Sequence, residues 1–237
     1  MKRTRNGILI PDVPIMAGGN LPNAVKGVSA GSDHWSKHIV DMGLPSGTLW
    51  ADCDIDATMP KGLCLTPFIY EKTYFSWGNI DGHNPVAGSF DYSWDTSNYS
   101  QTKGAGLVGN IPTNDEYDAA RANLGDPWQM PSLSDFEELI ENSIRINESG
   151  EQTSEYIVSV QGVNGMYLQS KINGNRIFIA ASGYGESTVV REKSITILIW
   201  GKDQDGTKGG AMRVMNDIRY AYYNKSYGLP IRPVVKL

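Results

Sequence analysis

Two cysteines and three histidines are all that 237 residues offer toward metal or redox chemistry. Cys53 and Cys64 bound the stretch CDIDATMPKGLC, neither as a C-x-x-C redox pair nor beside a histidine, so no metal site and no cofactor is expected. The two can close one disulfide in an oxidising compartment or stay as buried thiols; in a chain without an export signal the thiols are favoured. Positive charge is also scarce. The 21 Lys and Arg against 26 Asp and Glu leave a net charge of -5, which removes the clustered basic face that a phosphate backbone calls for, and with it nucleic acid as an expected partner. No apolar run approaches the roughly 20 residues of a membrane span. The opening MKRTRNGILIPDVPIMAGGN has the cationic start of a secretion signal but lacks its apolar core, because Pro11, Asp12 and Pro14 interrupt the helix that such a core must form.

What the chain does hold is 26 Gly, 12 Tyr and 6 Trp, with abundant Asn, Asp and Ser. That is the composition of a loop-rich binding scaffold. Residues 1–33 read as an extended arm, since their apolar clusters are broken by Pro, Gly and Asn and keep no period. Such a segment cannot bury its own ILI and VPIM clusters and is expected to dock on something, with Ile8, Leu9, Ile10, Val13, Ile15 and Met16 as candidate anchors. Residues 34–237 form the expected domain.

Within it, Ile39–Val40 and Leu49–Trp50 read as short strands joined by a Gly-Leu-Pro-Ser-Gly turn. Two helices carry start signals. In IPTNDEYDAARANLG, Thr113 is placed to cap, Glu116 to close a capping box and Gly125 to stop the helix; in MPSLSDFEELIENS, Ser132 and Asp135 repeat the arrangement ahead of a buried stripe of Phe136, Leu139 and Ile140. After Ser149 the patterns turn to strands, and KINGNRIFI predicts a tight hairpin with Asn173-Gly174 supplying positive φ angles. The expectation is α+β: two helices on a twisted, mostly antiparallel sheet with long loops.

Several stretches, in order, resemble the Fibrobacter succinogenes major paralogous domain family: VDMGLPSGTLWADCD, YFSWGN, ANLGDPWQMPSLSDFEELIENS, VNGMYLQSKINGNRIFIAASGY and YGLPIRPV, spanning Val40 to Val234. The resemblance implies a C-type-lectin-like fold and a bacterial surface-type domain. It departs from the family at ILIWGKDQDGTKGG and in lacking the exported leader that the family leads one to look for. Trp50, Trp77 and Trp128 are read as core pillars.

Candidate chemistry is sparse. DQDG at Asp203 to Gly206 has carboxylates and a glycine but not the spacing of a calcium loop, and reads as a polar hairpin turn. The sugar-and-calcium signatures of C-type lectins are missing, MND at Met215 to Asp217 being a partial echo. Nothing in the sequence orients His34, His38 or His83 as the base of a nucleophile. The C-type-lectin-like fold also hosts formylglycine-generating enzymes, but their reactive cysteines come late in the chain, whereas Cys53 and Cys64 come early.

The run RYAYYNKSYG is the candidate binding surface. Tyr220, Tyr222, Tyr223, Asn224 and Tyr227 have the character of a paratope, large contact area at low entropy cost, and the fold resembled would put this region before the last strand on the ligand side. A half-buried strand with alternating tyrosines accounts for the run equally well. A lectin-like domain without an export signal, behind an apolar arm, fits a bacteriophage virion protein: a head fibre, capsid decoration or tail adhesin. Expected partners are other virion proteins through the arm, sister copies in a homotrimer, and a host-surface glycan or protein. A bacterial cell-surface adhesin is the alternative, and an enzyme of the formylglycine-generating type the second.

Overall fold

The turn between Val40 and Trp50 shows how this chain builds sheets: Gly43 and Gly47 take φ values of +66° and +75°, and the flanking residues pair as short antiparallel strands. The computed structural model describes residues 38–56, 66–70 and 72–236, with the backbone of Thr4–Arg5 and Ile8–Leu9. In chain order the elements are β1 (Thr4–Arg5), β2 (Ile8–Leu9), β3 (Ile39–Asp41), β4 (Leu49–Ala51), β5 (Ser89–Trp94), α1 (Thr96–Tyr99), α2 (Ala119–Leu124), β6 (Trp128–Gln129) and α3 (Leu133–Glu141). There follow β7 (Ser143–Arg145), β8 (Val158–Val160), β9 (Val163–Ser170), β10 (Arg176–Ala180), β11 (Tyr184–Arg191), β12 (Ile197–Asp205), β13 (Lys208–Val214), β14 (Ile218–Asn224) and β15 (Val234–Val235).

The described fold is mostly β with three short helices, an α+β mix. Instead of one sheet there are several small ones, in the orders β3-β4-β15-β6, β10-β9-β7 with β8 also on β9, β12-β13-β14, β11-β5 and β1-β2, and every pairing is antiparallel. Of the anchor candidates, Ile8 and Leu9 form β2, paired with β1; Ile10, Val13, Ile15 and Met16 lie outside the described residues, as do His34 and Cys64. Among the described residues no helix is long and apolar enough to cross a membrane.

The helix over α3 starts where its sequence says. Ser132 caps it in a full capping box with Asp135, Phe136 and Leu139 are buried and Ile140 is half-buried. A second carboxylate joins from afar, since Asp203 Oδ2 accepts the Leu133 N–H at 2.6 Å. The DQDG segment thus belongs to the β12–β13 hairpin and serves as a helix cap. The start of α2 differs from expectation. Thr113 does not cap it; its hydroxyl donates to Gln129 instead, and Asn114 accepts the N–H groups of Glu116 and Tyr117 in a separate turn. The cap is Asp118, fully buried, whose carboxyl accepts from Arg121 N–H and also from Met130 N–H. Gly125 ends the helix at φ +79°, as expected. The KINGNRIFI hairpin forms between β9 and β10, but only Gly174 takes positive φ, and the Asn173 side chain donates to the Asp41 carbonyl. The turn is therefore wider than a two-residue one.

Trp50, Trp77 and Trp128 are buried, joined by Trp200, and split between two hydrophobic clusters on opposite faces of the β12–β13–β14 sheet. Trp77 packs where β13 has no side chain: a Cβ on Gly209 would lie 2.3 Å from its ring. Below this core sits a buried ionic cluster. Arg232 donates from Nε to Asp54 Oδ1 at 2.6 Å and from its terminal nitrogens to the carbonyls of Ala51 and Phe178, while Lys72 Nζ lies 3.6 Å from Asp54 Oδ2. All three side chains are at most 1 % exposed.

Two outcomes follow from these buried carboxyls. Asp54→Asn removes the carboxylate that both buried cations face and should cost about 3–5 kcal/mol, read as a lower urea midpoint at unchanged slope; a loss under about 1 kcal/mol would mean the cluster is hydrated. For Asp118, burial raises the carboxyl pKa to about 6 against the pull of the Met130 and Arg121 N–H groups. Its folded pKa exceeds its unfolded one, so the native state holds the proton longer and stability falls as pH rises from about 4 to 6. Relative to Asp118→Asn, the native chain should lose up to about 3 kcal/mol across that window, from a shift of roughly two units, in denaturation curves taken at successive pH values.

Candidate functional site

The five candidate binding residues lie on β14 and the turn after it, and the strand divides them between two faces. β14 pairs with β13 on one side only, so within the described residues it is a sheet edge. Register places Tyr220 opposite Met212, Tyr222 opposite Gly210, Tyr223 opposite Gly209 and Asn224 opposite Lys208. Tyr220 packs against the cluster beneath α3, and burial pushes its hydroxyl up to about 12, with Glu137 and Glu141 adding to the effect. Tyr222 shares that face and is 38 % exposed. Tyr223 looks the other way and packs with Tyr227 and Tyr184 against the Trp77 cluster. The run is therefore half strand and half surface: Tyr220, Tyr223 and Tyr227 pack against the core clusters, and Tyr222 and Asn224 are the exposed members.

The turn that carries Tyr227 is tightly held. Lys225 lies with its ammonium 4.1 Å from the centre of the Trp77 ring and donates to Gln204 Oε1 at 2.8 Å; its carbonyl accepts the Trp77 N–H. Burial lowers the Lys225 pKa. Trp77 in turn donates its indole N–H to the Gly201 carbonyl. The Tyr227 and Tyr184 rings stand 5.4 Å apart, each raised in pKa first by burial, with the Glu186 carboxylate a further cause in both.

A second aromatic group adjoins these two tyrosines and was not singled out in the sequence. Tyr92 and Trp94 on β5, with His83 and Phe90, form a set of ring contacts in which His83 stacks on Tyr92 at 3.9 Å and Trp94 meets Tyr92, Phe90 and His83 edge to face. Trp94 is buried against a bridge between Gly185 and Gly228, the residues directly after Tyr184 and Tyr227; a Cβ on either glycine would come within 2.5 Å of the indole. Alternation in SFDYSW was the available signal: it puts Phe90, Tyr92 and Trp94 on one side of a strand. His83 is thus part of an aromatic stack, and desolvation lowers its pKa.

Strand pairing also assembles what the sequence keeps apart around Cys53. Asp52 donates its N–H to the His38 carbonyl, and the His38 ring hydrogen-bonds Asp52 Oδ1 at 2.8 Å. One potential ligand atom from each of His38, Asp52 and Cys53 falls within 4.8 Å of the others, the one such group found among the described residues. Cys53 is wholly inside the hydrophobic core, so the group meets solvent only through His38 and Asp52. The MND segment forms the β13–β14 turn, where Asp217 pairs with Arg219 at 2.6 Å and Arg213 at 3.9 Å.

Compared with protein-family models, with curated proteins and with solved structures, the chain matches none.

The geometry separates the tyrosines by cost. Tyr222→Ala should change unfolding free energy by no more than about 0.5 kcal/mol, as exposed positions do. Tyr220→Ala and Tyr223→Ala, which uncover packed surface, should each cost about 1–3 kcal/mol. Chemical denaturation of the three variants side by side checks the ordering.

Proposed function

We propose that the chain is a non-enzymatic binding module of the C-type-lectin-like kind, displayed on a bacteriophage particle and held there by its N-terminal arm. The observation that carries the binding part is the β14 edge: tyrosines rooted in two hydrophobic clusters, with a half-exposed ring at Tyr222, an exposed amide at Asn224 and an adjoining Tyr184–Tyr227 pair. Rings fixed at the base lose little freedom when a partner covers their tips, the physical advantage that makes tyrosine an efficient contact residue.

The location rests on sequence character. A domain of this type behind an apolar, proline-broken arm suits assembly in the cytoplasm, where the arm docks on capsid or tail proteins and sister copies complete a trimer. Function then comes from multiplicity: weak single contacts to a host glycan or protein become tight when many copies engage one surface. A bacterial surface adhesin built on the same domain is the alternative location. The formylglycine-generating alternative draws no support from Cys53, which lies fully buried where a peptide substrate does not reach.

Quantitative mass spectrometry of density-purified particles tests the proposal. A copy ratio to the major capsid protein fixed by symmetry supports a virion role; recovery in the cell envelope instead overturns it in favour of the adhesin. Deleting residues 1–33 should leave the melting temperature within a few degrees, as expected for a change of no more than about 0.5 kcal/mol, and abolish incorporation into particles.

A further inference from the structure

Beneath the C-terminal end of α3, β7, β9 and the first residue of β14 enclose a cavity of about 300 Å³. This is at the lower end of the ~300–1,000 Å³ typical of small-molecule sites. Its polar lining is cationic and hydroxylic. Arg145 lies with its guanidinium 4.0 Å from the centre of the Tyr156 ring, which fixes its plane. None of the Arg145 side-chain N–H groups has an acceptor among the described residues. Lys171 also lines the cavity and donates from Nζ to the Glu141 carbonyl at 2.6 Å. Ser143, 7 % exposed, also lines the cavity, and its buried hydroxyl has no hydrogen-bond partner. Gln152 adds an amide, and Ile140, Leu168 and Ile218, which pack in one cluster, supply apolar lining.

We propose that this cavity binds an acidic monosaccharide unit, a uronic or sialic acid at the end of a surface glycan. The Ser143 hydroxyl, one of four buried side-chain polar atoms without a partner among the described residues, is an incomplete hydrogen bond. Beside it stands a held guanidinium with a free fork, the geometry that takes a carboxylate in two parallel bonds. The cavity is too large and too apolar along one side for an inorganic anion, while a pyranose ring offers both a hydrocarbon face for Ile140, Leu168 and Ile218 and hydroxyls for Ser143 and Gln152. This deepens the display reading by naming a ligand class. Its test is separable, because it is made on the free chain and does not depend on where that chain resides.

The full chain is titrated calorimetrically with D-glucuronate and N-acetylneuraminate, with D-glucose as the neutral control and N-acetylalanine as a carboxylate without a sugar. Saturable binding of an acidic sugar is expected, with glucose weaker by about ten-fold or more, the equivalent of one charge-assisted hydrogen bond. Arg145→Gln should weaken acidic-sugar binding by about ten-fold by the same reasoning. Ser143→Ala should weaken it several-fold while leaving the melting temperature unchanged, because it breaks no hydrogen bond of the fold. Equal binding of glucose, equal or tighter binding of N-acetylalanine, indifference to both substitutions, or no binding at millimolar sugar each overturns the proposal.

Discussion

The fold hangs on one carboxylate. Asp54, three residues past the end of β4, holds Arg232 and Lys72 away from the surface, and the guanidinium uses its remaining donors on the carbonyls of Ala51 and Phe178. Charges removed from water in this way are tolerated only when the geometry is complete. The cluster therefore fixes, at one point, the tail of β4, the segment before Tyr74, the end of the chain and the β10 strand of a different sheet. With sheets as small as two to four strands, none can define the others by its own size, and a point that four segments must meet supplies the missing relation.

From that point outward, tryptophan against glycine is the repeated joint. Trp77 rests on Gly209 with Lys225 over its ring, and Trp94 rests on the Gly185–Gly228 bridge. Each joint removes a side chain from a strand so that an indole can lie close to the backbone, and each sits directly beneath a tyrosine of the candidate surface. The aromatic edge is rigid because its floor is, and a rigid edge loses less entropy on contact.

Local signals were legible in the sequence, and relations across the chain were not. The capping box of Ser132 and Asp135 could be read because both partners lie within one turn; the contribution of Asp203 to the same helix could not, being seventy residues away. Thr113 looked like a cap because its spacing to Glu116 fits, yet Asp118 wins the position by satisfying Met130 as well as Arg121, a bond that exists only once β6 is in place. The tyrosine run was found as a run, but its division between two faces depends on which strand lies beside it. The cavity at Arg145 left no trace in the sequence, since it is formed by side chains from separate strands that meet only in the folded sheet.

The strand β15 carries a further implication. It sits in the interior of its sheet, between β4 and β6, although it is the last strand in chain order. During synthesis the ribosome delivers both neighbours long before the strand that joins them, so β4 and β6 wait with an open slot between them. Until Val234 and Val235 are in place, the clusters of Trp50 and of Trp128, on opposite faces, each lack one buried valine. Arg232 lies two residues before β15, so the same short segment completes both the sheet and the ionic cluster at Asp54.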